Sequence, residues 1–349
     1  MDDGDAAHHS NPGEISSPAA QDVTLGIVVA SYAPERLEDI LRLLESIEGQ
    51  ISPIDEVVVV VQQSRELLAS VSQALARLTR SQTSLLFLEV ASGVSQARNA
   101  GLRTLKTDVI AFVDDDAVLT DDWALATRRF YSGRADAVGV AGAILPLWDS
   151  PAMEWFPHEL YWMLSCTYWT WTSPMPVRNG YGANISFRQV AFEDGREFNE
   201  SFGISGWGQA GWHGIGGEEP ELSVRVTAAT GQPILYVPDI RVWHRVEPYR
   251  LQWRSMVRRA YWGGRTKAAL SRDPTLPPSL LDTERDLVPE MARAQVERVR
   301  VLGAHPLVAL RQEGAVLLVV AVFALGLVDG RFRRHRPGRA GGEAGEKGR

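Results

Sequence analysis

From Val23 to Ile144 the chain alternates short apolar runs with amphipathic helical periods, and that alternation confines it to an α/β fold. VTLGIVVA (23–30), EVVVVV (56–61), LLFLEV (85–90), VIAFV (109–113) and AVGVAGAI (137–144) read as strands. Several are apolar at consecutive positions, as strands buried on both faces are. Between them, Leu37, Ile40, Leu41, Leu44 and Ile47 repeat at helical spacing behind Pro34. Ser64 is placed to cap a second helix with the stripe Leu67, Leu68, Val71, Leu75 and Leu78. A third helix runs through Ala97, Leu102 and Leu105, and Thr120 opens a fourth. Such a βαβ series predicts a largely parallel, Rossmann-like sheet with helices on both faces and a ligand at the carboxyl edge of its strands.

Composition narrows the classes. With 349 residues and 45% hydrophobic content, the chain buries one large domain or two closely packed ones. A formal net charge of -7 excludes a general nucleic-acid binder, which needs a basic surface to displace counterions. The single cysteine, Cys166, forms no intrachain disulfide and reads as a buried small hydrophobe. Residues 1–22 mix acids with Gly, Ser and Pro and lack the apolar core of a signal peptide, so they read as a disordered tail.

Residues 23–270 form the expected folded body, with a first half (23–145) and a less regular, aromatic-rich and glycine-rich second half (146–270) that elaborates a site on the first. Trp207 and Trp212 lie in the glycine-rich run from Gly203 to Gly217. A helical linker (271–312) follows, then an apolar segment (313–330) and a basic, glycine-rich tail (331–349). Residues Gly314 to Val328 are uncharged and mostly apolar; as a helix they rise only ~22 Å, short of a hydrocarbon core of roughly 30 Å. A span would also carry Arg331, Arg333, Arg334 and Arg336 to the far side, against the positive-inside tendency. The expectation is a helix in the interface, or a re-entrant hairpin with VLGAHPLVAL (301–310), at the cytoplasmic face of a membrane. The alternatives are a core helix packed on the folded body and a soluble cytoplasmic protein.

Three groups of residues point to chemistry. Asp114, Asp115 and Asp116 follow directly on the strand VIAFV. Adjacent carboxylates at a buried strand end repel one another unless a cation offsets them, and hard ions such as Mg²⁺ or Mn²⁺ prefer such oxygens and share them with substrate phosphates. Glu218 and Glu219 open a helix-like segment after the glycine-rich run; they either complement a helix dipole or take a proton from an attacking hydroxyl. His244 ends a strand-like stretch, Tyr236 to Val242, that reads as an edge strand broken by Pro238.

Taken together these segments resemble the inverting family 2 glycosyltransferases, whose nucleotide-sugar-binding domain has the GT-A fold. IVVASYAPERLEDILRLLESI (27–47) is similar to the family's first strand and helix, which implies Ser31 and Tyr32 in the nucleotide pocket. GVSQARNAGL (93–102) matches its G-x-S-x-A-R-N-x-G element, implying donor contact by Arg98. VIAFVDDDAVLTDDW (109–123) matches its DxD segment, implying donor and metal roles for Asp114 and Asp115 and metal binding by Asp116. GYGANISFR (180–188) resembles its acceptor-side element, which implies Asn184; the glycine-rich Trp207 and Trp212 are assigned to the same side. GGEEPELSVRV (216–226) resembles its G-E-D-x-E-L segment, so the catalytic carboxylate falls on Glu219, with Glu218 the other candidate. Its V-x-H ending falls on Val242 and His244, implying a third metal ligand. Gln62 stands where the family has a base-holding Asp, and Glu219 replaces an Asp.

The resemblance implies metal-dependent transfer of a sugar, with inversion, from a nucleoside-diphosphate sugar to a hydroxyl of a lipid-linked or cell-surface glycan, as in cell-surface polysaccharide biosynthesis. Two rivals remain at this point. A haloacid-dehalogenase-type phosphatase also carries D-x-D-x-[TV], met here by Asp114, Asp116 and Val118, though on its first strand and with Gly where this chain has Ala117. A catalytically degenerate nucleotide-sugar-binding protein would also account for Gln62.

Overall fold

The computed structural model describes residues 23–53, 55–77, 82–90, 93–167, 172–202, 216–272 and 283–332. The first four apolar runs form β1 (Leu25–Ser31), β2 (Glu56–Gln62), β3 (Gln82–Leu88) and β4 (Val109–Asp114), paired in parallel in the order β3-β2-β1-β4. The sheet continues through β8 (Ile185–Arg188), β6 (Gly139–Trp148), β9 (Ile234–Val246) and β5 (Ala117–Leu119), with β7 (Met175–Val177) also on β9. β8 is antiparallel to both β4 and β6, so the expected parallel sheet is in fact mixed. The second half of the chain therefore completes the same sheet.

Alternation along β1 explains the helices on both faces, because successive side chains of a strand point to opposite sides. Leu25, Ile27 and Val29 join a core with α1 (Leu37–Glu48), α2 (Arg65–Leu75) and α4 (Trp123–Gly133). Val28 joins the other core, with Ala97 and Leu102 of α3 (Val94–Leu102) and Leu222 and Val226 of α5 (Glu218–Thr230). Ser64 caps α2 by accepting from the Leu67 N–H, as expected. Leu78, the last residue of the predicted stripe, lies outside the described residues. α4 begins at Trp123 and not at Thr120, whose hydroxyl instead donates to Asp122 and to the Arg241 carbonyl.

The predicted edge strand is a correction. β9 runs unbroken from Ile234 to Val246 and is flanked by β6 on one side and β5 and β7 on the other. Its register on β6 shifts between Gly142 and Ala143, so that Val237 and Arg241 face consecutive partners. The residues between them, Pro238 among them, leave the ladder in a bulge, which is how a proline fits inside a sheet.

After β9 come α6 (Trp253–Leu270), α7 (Thr283–Ala304) and α8 (Pro306–Phe332). The apolar run read from the sequence is only the centre of α8. Proline at the first helical position starts this helix earlier, and its 27 residues rise ~40 Å, so the length argument against a span fails. α7 folds back on α8 at His305: Arg298 donates to Glu313 at 2.7 Å and also pairs with the buried Glu159. α8 lies against α6 at backbone distance. A Cβ on Gly264 would sit 2.1 Å from the Phe323 carbonyl oxygen, and one on Gly326 2.0 Å from that of Tyr261. Gly326→Val is expected to force the two helices apart and cost more than about 2 kcal/mol, read as a lower thermal midpoint with unchanged helix content at room temperature. An unchanged midpoint would show that the backbones are not in contact.

Candidate active site

Parallel pairing brings the carboxyl ends of β1, β2 and β4 to one edge: Ala30 pairs with Asp114 and Ser31 with Val61. Strand order reverses beside β1, and the crevice outside such a reversal is where ligands bind in open α/β sheets. The Ser31 hydroxyl donates to Asp115 Oδ2 at 2.5 Å. Burial, and then the neighbouring Asp116, push the Asp115 carboxyl up to about 7, against the opposing pull of Arg36 and Ser31.

His244 reaches the site through strand pairing. Ala117 faces His244 in the β5–β9 ladder, and the Arg245 N–H donates to the Asp116 carbonyl at 2.9 Å. This places His244 Nε2 3.0 Å from Asp116 Oδ1. Single donor atoms of Asp114, Asp116 and His244 all lie within 4.8 Å of one another. The second oxygen of Asp116 accepts from Arg36 at 2.8 Å and from Arg250 at 2.9 Å. Burial alone would raise this carboxyl, but His244, Arg250 and Arg36 outweigh it and hold it well below the usual carboxylate range. Behind His244, Nδ1 lies 4.0 Å from the sulfur of Cys166, whose thiol donates to the Leu164 carbonyl. Burial pushes that thiol up to about 12, so Cys166 stays protonated and structural.

Arg98 spans the crevice. Its guanidinium donates to Asp114 Oδ1 at 2.9 Å and to Glu219 Oε1 at 3.0 Å, and Glu218 lies 3.7 Å away. Glu219 Oε1 also accepts from the Gly182 N–H at 3.1 Å. A Cβ at position 182 would sit 1.8 Å from Arg98 Nη2, so a side chain there would push the guanidinium out of this position. Glu218 is buried, its Oε2 has no hydrogen-bond partner, and burial followed by the charge of Glu219 pushes it up to about 8.

The structure thus gathers Ser31, Arg98, Asp114, Asp115, Asp116, Glu218, Glu219 and His244 at one edge. Tyr32 follows Ser31 at the end of β1, its phenol pushed above the usual range by burial. Gln62 ends β2, buried, with Oε1 unpartnered. The Asn184 amide donates to the carbonyls of Ala143 and Ile240 and its oxygen accepts from Trp123 Nε1, all within 3.0 Å, so this buried side chain ties β6, β9 and α4 together. Trp207 and Trp212 lie outside the described residues. Sequence reasoning missed Arg36, Arg250 and Gly182; cations facing an Asp triplet were to be expected, but which arginines do so depends on contacts across the fold.

The sheet has the GT-A arrangement, and similarity to known proteins marks the chain as a glycosyltransferase. Residues 27–144 match Glycosyl transferase family 2, so the chain carries a domain of that family. It is 29% identical over 308 residues, 88% of this chain and 96% of the relative, to the glucosyl-dolichyl phosphate glucuronosyltransferase of Haloferax volcanii. Among solved structures, it resembles the mannosyltransferase PcManGT from Pyrobaculum calidifontis, in complex with GDP-Man and Mn²⁺, with a TM-score of 0.56 at 18% identity, covering 88% of this chain and 86% of that one. S. aureus TarS superposes with a TM-score of 0.51 at 14% identity, covering 88% and 89%. The family and the place of the Asp triplet on the fourth strand set aside the phosphatase reading.

Two stability measurements probe this arrangement. Asn184→Ala is expected to cost at least about 2 kcal/mol, because three buried polar groups lose their partner. The Glu218 carboxyl is raised from 4.5 to about 8, so its contribution to stability is complete below pH 4.5 and is lost as pH rises to about 8. The loss is about 1.4 kcal/mol per pH unit. Glu218→Gln is therefore expected to melt above the parent protein at pH 9 and to converge with it near pH 5. A difference that stays constant over that range would show Glu218 ionised throughout.

Proposed function

We propose that the chain transfers a sugar, with inversion, from a nucleoside-diphosphate sugar to a hydroxyl of a lipid-linked glycan at the cytoplasmic face of a membrane. The observation that carries this reading is the Arg98 bridge, which joins Asp114 of the Asp114–Asp116–His244 trio to Glu219. The trio fits a divalent ion: two carboxylates and an imidazole, brought within 4.8 Å, suit Mn²⁺ or Mg²⁺. Such an ion, held by Asp114, Asp116 and His244, supplies positive charge against the departing nucleoside diphosphate. Mn²⁺ in the mannosyltransferase complex agrees with this donor set.

Ser31, Tyr32, Gln62, Arg98 and Asp115 face the donor in this reading. The unpartnered Gln62 oxygen is an acceptor for a nucleobase N–H, without the charge assistance an Asp provides. Raised to about 8, Glu218 keeps its proton at neutral pH. Glu219, ion-paired with Arg98, is then the carboxylate that takes the proton of the acceptor hydroxyl. The hydroxyl oxygen bonds to the anomeric carbon as the bond from that carbon to the phosphate oxygen breaks, its electron pair leaving with the nucleoside diphosphate. One displacement inverts the configuration. The lipid-linked acceptor is supported by the dolichyl phosphate-linked sugar in the name of the Haloferax relative and by α8, which is long and apolar enough to associate with a bilayer.

Asp116→Ala is expected to abolish transfer and the Mn²⁺-dependent thermal stabilisation by UDP or GDP, which at a hundred times the dissociation constant adds roughly 2.7 kcal/mol to the intact protein. Nucleotide stabilisation that survives in this variant with the same Mn²⁺ dependence rejects Asp116 as a ligand. Glu219→Gln is expected to keep nucleotide binding and lower kcat at least about a hundredfold. If Glu218→Gln behaves that way and Glu219→Gln does not, the base is Glu218.

A further inference from the structure

α8 has the length and composition of a bilayer span, its most apolar 18-residue window having a mean hydropathy of 2.1, yet its packing is not that of one. The face of α8 that carries Ala315, Val316, Val319, Gly326 and Gly330 is buried. The opposite face exposes Leu310, Leu317, Leu325, Val328 and Phe332, with Leu317 62% and Leu325 64% exposed. Their spacings of seven, eight, three and four residues keep them on one side of a helix. α6 lies along the buried face: Gly326 touches Tyr261, Gly264 touches Phe323 and Leu327, and Gly330 touches Ala268 and Arg265. α6 carries Arg254, Arg258, Arg259, Arg265 and Lys267 and no acidic residue. Arg265 and Tyr261 bind Asp329 of α8 at 3.3 and 2.7 Å, so the two helices are also joined by polar contacts along this stretch.

If α8 crossed the hydrocarbon, α6 and its five cations would be drawn in beside it, where Arg and Lys are strongly disfavoured. With α8 lying flat, the exposed leucines enter the acyl boundary while α6 sits behind them. Packed helix axes are about 8–10 Å apart, which is within about one Debye length of the lipid phosphates at physiological salt. Trp253, 49% exposed at the start of α6 beside Arg254, has the amphipathic side chain of an interfacial anchor. Building on the membrane reading above, we propose that α6 and α8 form one docking unit for an anionic bilayer. α8 lies in the plane of the interface on its leucine side, and the basic α6 supplies the attraction to acidic headgroups.

The test uses the full chain, vesicles and native membranes. Co-sedimentation is expected with phosphatidylglycerol–phosphatidylcholine vesicles and at least about fivefold weaker with phosphatidylcholine alone. Leu317→Glu with Leu325→Glu, both at exposed positions, is expected to lower binding more than about tenfold at an unchanged thermal midpoint. Arg254→Glu with Arg258→Glu is expected to remove the preference for acidic lipid. Alkaline carbonate is expected to release the protein from membranes. Resistance to carbonate, with a tag after Arg349 protected on the side opposite the catalytic domain, overturns the in-plane arrangement while leaving membrane attachment intact. Failure to bind either vesicle overturns membrane attachment itself, and binding that is equal on both vesicles overturns the role of α6.

Discussion

Five carboxyl groups, those of Asp114, Asp115, Asp116, Glu218 and Glu219, are crowded at one edge of the sheet, and most of what surrounds them answers that crowding. Two unit charges 4 Å apart repel by about 4 kcal/mol at an effective dielectric of 20, so such a cluster cannot stay uncompensated. Arg98 takes Asp114 and Glu219, while Arg36 and Arg250 share Asp116. Three guanidinium groups against five carboxyls leave two without a full partner. These are the two pushed upward, Asp115 to about 7 and Glu218 to about 8. A divalent cation held by Asp114, Asp116 and His244 would bring the charge that the chain itself withholds.

The same arrangement separates the two glutamates. They are adjacent on the first turn of α5 and alike in chemistry, yet Glu219 meets Arg98 and the Gly182 N–H while Glu218 is buried with an orphaned oxygen. Burial pushes Glu218 up to about 8, whereas Glu219 holds two donors, so the two are not interchangeable. Here the difference depends on Gly182, because any side chain there would displace Arg98 from between its two carboxylates.

Much of this was legible in the sequence. The strand ends that carry Ser31, Gln62 and Asp114 follow from apolar runs with a period that only buried strands satisfy, and the Asp triplet declares itself by its cost. His244 was found by its motif, but the strand that holds it was misread. A proline marks an edge only if the ladder is regular, and the bulge opposite Gly142 and Ala143 removes that condition. The cross-links made by Asn184 were not legible, because a motif fixes a residue's place in the chain and not the direction of its side chain. Its partners Trp123, Ala143 and Ile240 come from three separate elements. The reach of α8 was underestimated because hydropathy marks where charges stop, whereas the helix continues through Arg311, Gln312 and Glu313 back to Pro306.

What joins these parts is the chain between β9 and α8. His244 and Arg250 lie on either side of Asp116, only a few residues apart, and α6 starts two residues beyond Leu251. From there α6 runs on as a single helix, and its close contacts with α8 extend from Tyr261 to Ala268. A backbone-to-backbone seam leaves little room for sliding, since its partners are carbonyl oxygens and amide nitrogens and not adaptable side chains. The position of α8 is thereby tied mechanically to the residues that hold Asp116. In the proposed docking, a surface that orients α8 would also orient the sheet edge, so that an acceptor anchored there would meet this edge from a direction set by α6.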